Sequence, residues 1–236
     1  MIFTLLYNDY KVIDTSLTQL RKTNTLSLPI VAVDNDFPTL TNAQVTRLKN
    51  KHGLTIIGKR VNRGLSGGYN ELIHAHPDIR YAILFDCDSY PITEGWDKAM
   101  MDVIQSPQVA YLSLMFDVAK REMQERGFTP WRHESGHVIW RPKQACVQSI
   151  SCADLDYIRS IGGLKEPKKY YGGLEGFMFR YWNDDHQIGY IDGVYETQQP
   201  QHVKIAPAYR AYKWAYAHEG YNGSFDEFLK ERNESK

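Results

Sequence analysis

The chain has 236 residues, 42% of them hydrophobic and 24% charged, with 28 basic residues balanced by 28 acidic ones. This length and apolar content suit one α/β domain with a sizeable core, and the zero net charge supplies no global field to draw the protein onto nucleic acid or anionic lipid. Apolar runs end after about five residues, far short of the roughly 20 that cross a bilayer, so no transmembrane segment is expected.

Cys87, Cys146 and Cys152 form neither an even framework nor a close pair of metal spacing, and they read as reduced thiols. Residues 1–9 lack the basic region and long apolar run of a secretory signal. The expectation is a cytoplasmic protein, in a bacterium or, if phage-encoded, in the host cytoplasm. Nothing in the sequence speaks to its oligomeric state.

In chain order, residues 2–7 form a β-rich run, and Val12, Ile13, Leu17 and Leu20 follow at near-helical spacing. Residues 30–33 are a short, fully apolar strand, followed by a polar turn and a helix over 43–50. Residues 54–57 and 81–85 repeat the theme, with a helix over 66–76 between them. Four short strands alternating with helices predict a largely parallel, doubly wound sheet of Rossmann-like type, because parallel strands need crossovers. Right-handed crossovers then bring the strand ends to one rim.

After residue 91 the pattern loosens. Residues 96–104 read as a helix, 109–116 as a strand, and 117–126 as a charged helix or loop. A short strand over 137–140 ends at Arg141-Pro142, where proline interrupts a ladder. Residues 174–182 suggest a helix, 189–191 a strand, and Ser224 to Glu227 a capping box opening a final helix. The second half reads as an elaboration of the same sheet.

Asp86 and Asp88 end the 81–85 strand, and the two-residue period of a strand turns both to one side while Cys87 points away. Open α/β sheets bind ligands beyond the carboxyl ends of their strands. Two close carboxylates repel, and a divalent cation, which prefers oxygen ligands, relieves that cost. A polar turn closing a buried strand is the competing reading, since aspartates are common in turns. Asp34-Asn35-Asp36 brings further carboxylates to the same rim, with an Asx-type turn as its plain alternative. The glycines of residues 62–70 allow close backbone approach, and the helix start there favours an anion. That segment is neither a dinucleotide fingerprint nor a lysine-bearing phosphate loop, and Tyr7-Asn8-Asp9-Tyr10 contains no glycine.

The order of these pieces carries a resemblance. Leu5-Leu6-Tyr7-Asn8, Val31-Ala32-Val33-Asp34-Asn35, Asn62-x-Gly64-x-x-Gly67-x-x-Asn70 and Leu84-Phe85-Asp86-Cys87-Asp88 together resemble the amino-terminal half of a GT-A fold glycosyltransferase, with the inverting family 2 as the nearest pattern. A looser match continues through Ser135 to Arg141 and Gly172-Gly173-Leu174-Glu175, with Arg180 and Gly189 beyond. The resemblance implies a single domain with a nucleotide-sugar-binding half (1–95), an acceptor and catalytic half (96–203) and an aromatic tail (204–236).

It also implies roles. Asp34, with Tyr7 and Asn8, would meet the base or ribose of a nucleoside diphosphate sugar, and Asn62, Gly64 and Gly67 would lie near the nucleotide, with simple solvation as the plain alternative for the Arg63 side chain. Asp86 would approach the ribose or metal, and Asp88 would coordinate Mn²⁺ or Mg²⁺. His202 is a third candidate ligand, and imidazole beside carboxylates suits Mn²⁺ better. Glu175 is the candidate catalytic base, with Asp184 and Asp185 behind it; helix-dipole complementarity is its plain alternative.

Tyr209, Tyr212, Trp214, Tyr216 and Tyr221, beside Lys204, Arg210 and Lys213, could stack on sugars or bases, as could Trp131, Arg132 and His133 in a loop, although packing explains most such aromatics. The expected activity is metal-dependent inverting transfer from a UDP-linked sugar to an acceptor hydroxyl, on a glycan or on a hydroxylated base of phage DNA. The rivals are a sugar nucleotidyltransferase, disfavoured by the plain first turn, and a non-catalytic nucleotide-sugar-binding module.

Overall fold

The computed structural model describes residues 1–37, 39–116, 124–125, 127–141, 149–164 and 187–198, with residues 211, 215, 227, 228, 230 and 231. The first half runs β1 (Ile2–Leu6), α1 (Tyr10–Thr23), β2 (Ile30–Asp34), α2 (Asn42–His52), β3 (Leu54–Ile57), α3 (Gly64–Ala75), β4 (Tyr81–Asp86). The second half adds β5 (Ser89–Pro91), α4 (Trp96–Ile104), β6 (Val109–Phe116), β7 (Thr129–Arg132), β8 (Val138–Arg141), β9 (Ile150–Asp154), α5 (Leu155–Ser160) and β10 (Gln187–Gln198).

One sheet collects all of these strands in the order β3-β2-β1-β4-β9-β6-β10-β8-β7, with β5 paired to β10. The β3-β2-β1-β4 segment is parallel, as the β-α alternation predicts. Beyond it the sheet is mixed: β9 runs antiparallel between β4 and β6, β6 and β10 are parallel, and β8 and β7 close the far edge as an antiparallel hairpin.

Alternation along each strand splits the core between two faces. Ile2 and Leu6 of β1 and Ile83 and Phe85 of β4 pack with α1, α2 and α4, while Phe3, Leu5, Ala82 and Leu84 pack with α3 and α5. Complete burial of Leu17, Leu20, Leu72 and Met100 shows where α1, α3 and α4 turn their apolar faces. Local chemistry sets the helix ends: Thr41 and Gln44 form a reciprocal capping box on α2, and Gly53 closes that helix in the left-handed region at φ 60°. Among the described residues, no helix is long and apolar enough to cross a membrane.

Two expectations change. Trp131 and Arg132 lie in β7 rather than in a loop, and Pro130 fits there because β7 is an edge strand whose outer side needs no amide donor. The strand expected at 189–191 extends over all of β10, because its covered polar residues hide the apolar pattern. The helix expected at 174–182 and the final capping box lie outside the described residues, as does most of the 117–126 segment.

The helices α1 and α2 cover one face and α3 the other, so the winding reverses between β1 and β4. That reversal is a topological switch point, and it opens a crevice at the carboxyl ends of the strands. Register places Asp34 beside Leu6 and Asp86 beside Leu5, on opposite sides of β1. Two strand spacings separate their backbones by about 10 Å.

Candidate active site

At the β4 side of this crevice, the Tyr69 hydroxyl of α3 donates to Asp86 Oδ1 at 3.1 Å. Strand parity turns Asp86 to the α3 face, and Cys87 inserts into the opposite core with Ile83 and Phe85. Burial, then the Asp86 charge, holds the Tyr69 pKa well above the ordinary tyrosine value, so its proton is kept for this bond. Burial likewise raises the Cys87 thiol, which makes it a packing residue rather than a nucleophile. Asp88 follows in the β4–β5 turn, and like Asp86 it is partly exposed.

At the β2 side, Asp34 Oδ1 accepts the Asp36 amide at 3.1 Å, an Asx turn that holds Asp36 at φ 56°. Burial raises the Asp34 pKa, partly offset by the Asp36 amide and the Arg60 charge. Arg60 is the hub of this corner. Its guanidinium contacts Asp36 Oδ1 at 2.7 Å, Asn42 Oδ1 at 2.7 Å and the Leu40 carbonyl, and it lies 3.8 Å from Asp34 Oδ2. The sequence reading did not single out Arg60; its signal is an arginine just after a strand that ends at the rim.

Two asparagines latch the intervening loop. Asn35 accepts the Arg63 amide at 2.9 Å and donates to the Gly64 carbonyl at 3.1 Å; Asn62 accepts the Gly64 amide at 3.0 Å and donates to the Tyr7 hydroxyl at 3.1 Å. Gly64 opens α3 at φ 73°, which only glycine adopts cheaply. Tyr7 meets Phe37 edge-on at 5.1 Å, and Asn8 is buried, its Oδ1 accepting the Asp9 amide. Gly67 lies in the first turn of α3 against Arg63, and Arg63 is held by Glu71 at 2.8 Å rather than solvated. Thus Tyr7, Asn8, Asp34, Asn62, Gly64, Gly67, Asp86 and Asp88 all lie on or beside one rim. Trp131, Arg132 and His133 lie on the hairpin at the far sheet edge, away from that rim. Glu175, Asp184, Asp185, His202 and the aromatic residues of the tail are outside the described residues.

Behind the Asp86–Asp88 turn, Glu196 of β10 is completely buried, and among the described residues neither of its carboxyl oxygens has a hydrogen-bond partner at normal geometry. Among the described residues, no three His, Cys, Asp or Glu side chains converge closely enough to hold an ion alone. Two partly exposed aspartates do fit a cation whose remaining ligands are phosphate oxygens and water, the usual coordination of Mg²⁺ at diphosphate sites.

The glycosyl transferase family 2 model matches residues 1–156. No curated protein sequence matches the chain significantly. Among solved structures, the fold is similar to a mannosyltransferase from Pyrobaculum calidifontis in complex with GDP-Man and Mn²⁺, with a TM-score of 0.60 and 15% identity over 91% of this chain and 60% of that one. It is similar to GalNAc-T7 with UDP, GalNAc and Mn²⁺, with a TM-score of 0.65 and 10% identity over 85% of this chain and 43% of that one. A TarS fragment from S. aureus in complex with UDP-GlcNAc gives a TM-score of 0.57 and 15% identity over 92% of this chain and 66% of that one. The chain therefore spans less than two thirds of the length of each of these structures. With the family match covering well over half of its residues, the chain belongs to glycosyl transferase family 2 and has the GT-A fold.

Proposed function

We propose that the protein is a divalent-metal-dependent inverting glycosyltransferase that moves a sugar from a nucleoside diphosphate sugar, UDP-linked by preference, to an acceptor hydroxyl. The observation that carries this reading is the pairing of Asp34 and Asp86 on either side of β1 at the switch point, with Asp88 in the next turn. One corner suits a ribose and base, the other a diphosphate.

Asp34, held by the Asp36 amide and Arg60, would accept from the base or ribose. Asp86, oriented by Tyr69, and Asp88 would hold Mn²⁺ or Mg²⁺. Such an ion supplies charge to offset the negative charge growing on the departing diphosphate. Glu175 is the proposed base: its carboxylate takes the acceptor hydroxyl proton as the oxygen bonds to the anomeric carbon and the bond to the diphosphate breaks on the opposite face. His202 is proposed as a third ligand from the late loop. The acceptor is a glycan or a hydroxylated DNA base.

A mass-spectrometric screen of nucleotide sugars with Mn²⁺ tests this reading. Release of free nucleoside diphosphate from one donor, followed by transfer in acceptor trials, is the expected result. Release of pyrophosphate would identify a nucleotidyltransferase, and UDP binding without hydrolysis or transfer would identify a binding module.

A further inference from the structure

All three nitrogens of the Arg60 guanidinium are engaged on the β2–α2 loop. Nε donates to Asp36 Oδ1 at 2.7 Å, Nη1 donates to Asn42 Oδ1 at 2.7 Å, and Nη2 donates to the Leu40 carbonyl and, at 3.4 Å, to the Phe37 carbonyl. The Leu40 amide donates to that same Phe37 carbonyl at 3.0 Å. One side chain from beyond β3 therefore fixes the end of β2, the turn that follows it and the first residue of α2. Phe37 in turn sets its ring edge-on against Tyr7, just past β1.

The same fork stops short of Asp34. Arg60 Nε lies 3.8 Å from Asp34 Oδ2, near enough to feel its charge but beyond a hydrogen bond. Oδ1 accepts the Asp36 amide, whereas Oδ2 accepts no hydrogen bond among the described residues, although the side chain is only 9% exposed. A sheltered carboxylate oxygen without a donor costs stability, and a ligand N–H or O–H would relieve that cost. Burial raises the Asp34 pKa, as does the Asp36 charge, while the Asp36 amide and Arg60 oppose the rise and favour the charged form that accepts such a donor. Asp36 keeps the guanidinium in place by holding Nε. Without that carboxylate, Arg60 is free to turn onto Asp34 Oδ2 and occupy the open oxygen.

We propose that Arg60 is a positioning residue for the nucleoside: its fork fixes the β2–α2 loop so that Asp34 presents one open carboxylate oxygen to the bound nucleotide. The inference rests on the reading of Asp34 as the nucleoside contact. A ligand hydrogen bond to a charged acceptor sets the scale of the effect, since losing it weakens binding by about tenfold or more.

The test is calorimetric titration of UDP, and of methylenediphosphonate as a diphosphate without a nucleoside, into the full chain with Mn²⁺ present. Arg60→Gln should weaken UDP binding about tenfold and leave methylenediphosphonate within about twofold of wild type. In an Asp34→Asn background the same substitution should weaken UDP binding by no more than about twofold further, because Arg60 acts through Asp34. Asp36→Gly suits the φ of 56° and keeps the amide that Asp34 Oδ1 accepts. It should weaken UDP binding about threefold, because the released guanidinium turns onto Asp34. Unchanged UDP affinity in Arg60→Gln, equal losses for the two ligands, additive losses in the double variant, or wild-type UDP affinity in Asp36→Gly would each overturn the proposal. Should Arg60→Gln fail to fold, Asp36→Gly decides alone. A wild-type chain that binds UDP no more tightly than methylenediphosphonate would instead remove the nucleoside reading of Asp34, and this inference with it.

Discussion

The hydroxyl of Tyr69 donates to Asp86 Oδ1 at 3.1 Å, joining the buried tyrosine of α3 to the last residue of β4. This bond sets the direction of a carboxylate at the crevice. Tyr69→Phe keeps the ring and its packing, so it should cost only about 1 kcal/mol of stability. Mn²⁺-dependent UDP affinity should fall about tenfold. Urea denaturation and calorimetry on the same variant separate the two effects, and an unchanged affinity would deny Tyr69 its orienting role.

Close packing of α3 on the sheet depends on Gly68. A Cβ there would stand 2.7 Å from Leu5 Cδ2. Gly68→Ala should destabilise the protein by about 1–3 kcal/mol through overpacking. Adding Leu5→Val should recover part of that loss, and non-recovery in urea midpoints would point away from this contact.

Away from the crevice, Asp97 is completely buried in the first turn of α4 and accepts from Thr25 Oγ1 at 2.8 Å and the Leu26 amide at 2.6 Å. Asp97→Ala strands both donors and should cost about 2–3 kcal/mol, measured by urea unfolding. Mn²⁺ affinity should not change, since the tie serves the α1–β2 loop.

Acid sensitivity has a specific source in Asp14, which binds Lys51 Nζ at 2.7 Å and His52 Nε2 at 2.8 Å. Burial would raise its pKa, but hydrogen bonds and charge from Lys51 and His52 outweigh that and hold it below the ordinary 3.8. The folded-state pKa is thus depressed, so the stabilisation is complete above the unfolded value and is lost as pH falls through the folded one. Asp14→Asn should cost about 1 kcal/mol at pH 6, Lys51 being half exposed. The gap to wild type should shrink on acidification below pH 3.8, and urea midpoints across that range check it.

Much of the first half was legible because its strands are continuous apolar runs and its helices show one apolar face. Ile30–Asp34 and Leu54–Ile57 therefore appear in the sequence within a residue of their observed ends. The shared rim of Asp34 and Asp86 followed from right-handed crossovers alone. What remained hidden depends on pairing. In β9, Ser151, Cys152 and Ala153 lack the β-branched weight that marks a strand, yet β4 and β6 cover them completely. Glu196 was equally invisible, since no local period distinguishes an acid facing solvent from one sealed beneath a turn formed a hundred residues earlier in the chain. Arg60 reads as an ordinary surface cation until Asp36 and Asn42 fold around it.

The account turns on Asp88, and calorimetric titration of UDP with and without Mn²⁺ tests it most directly. Wild-type protein should bind UDP strongly only when Mn²⁺ is present, and Asp88→Asn should lose that metal-dependent binding by at least about 100-fold. Wild-type affinity in the Asp88→Asn protein with Mn²⁺ present would contradict the account.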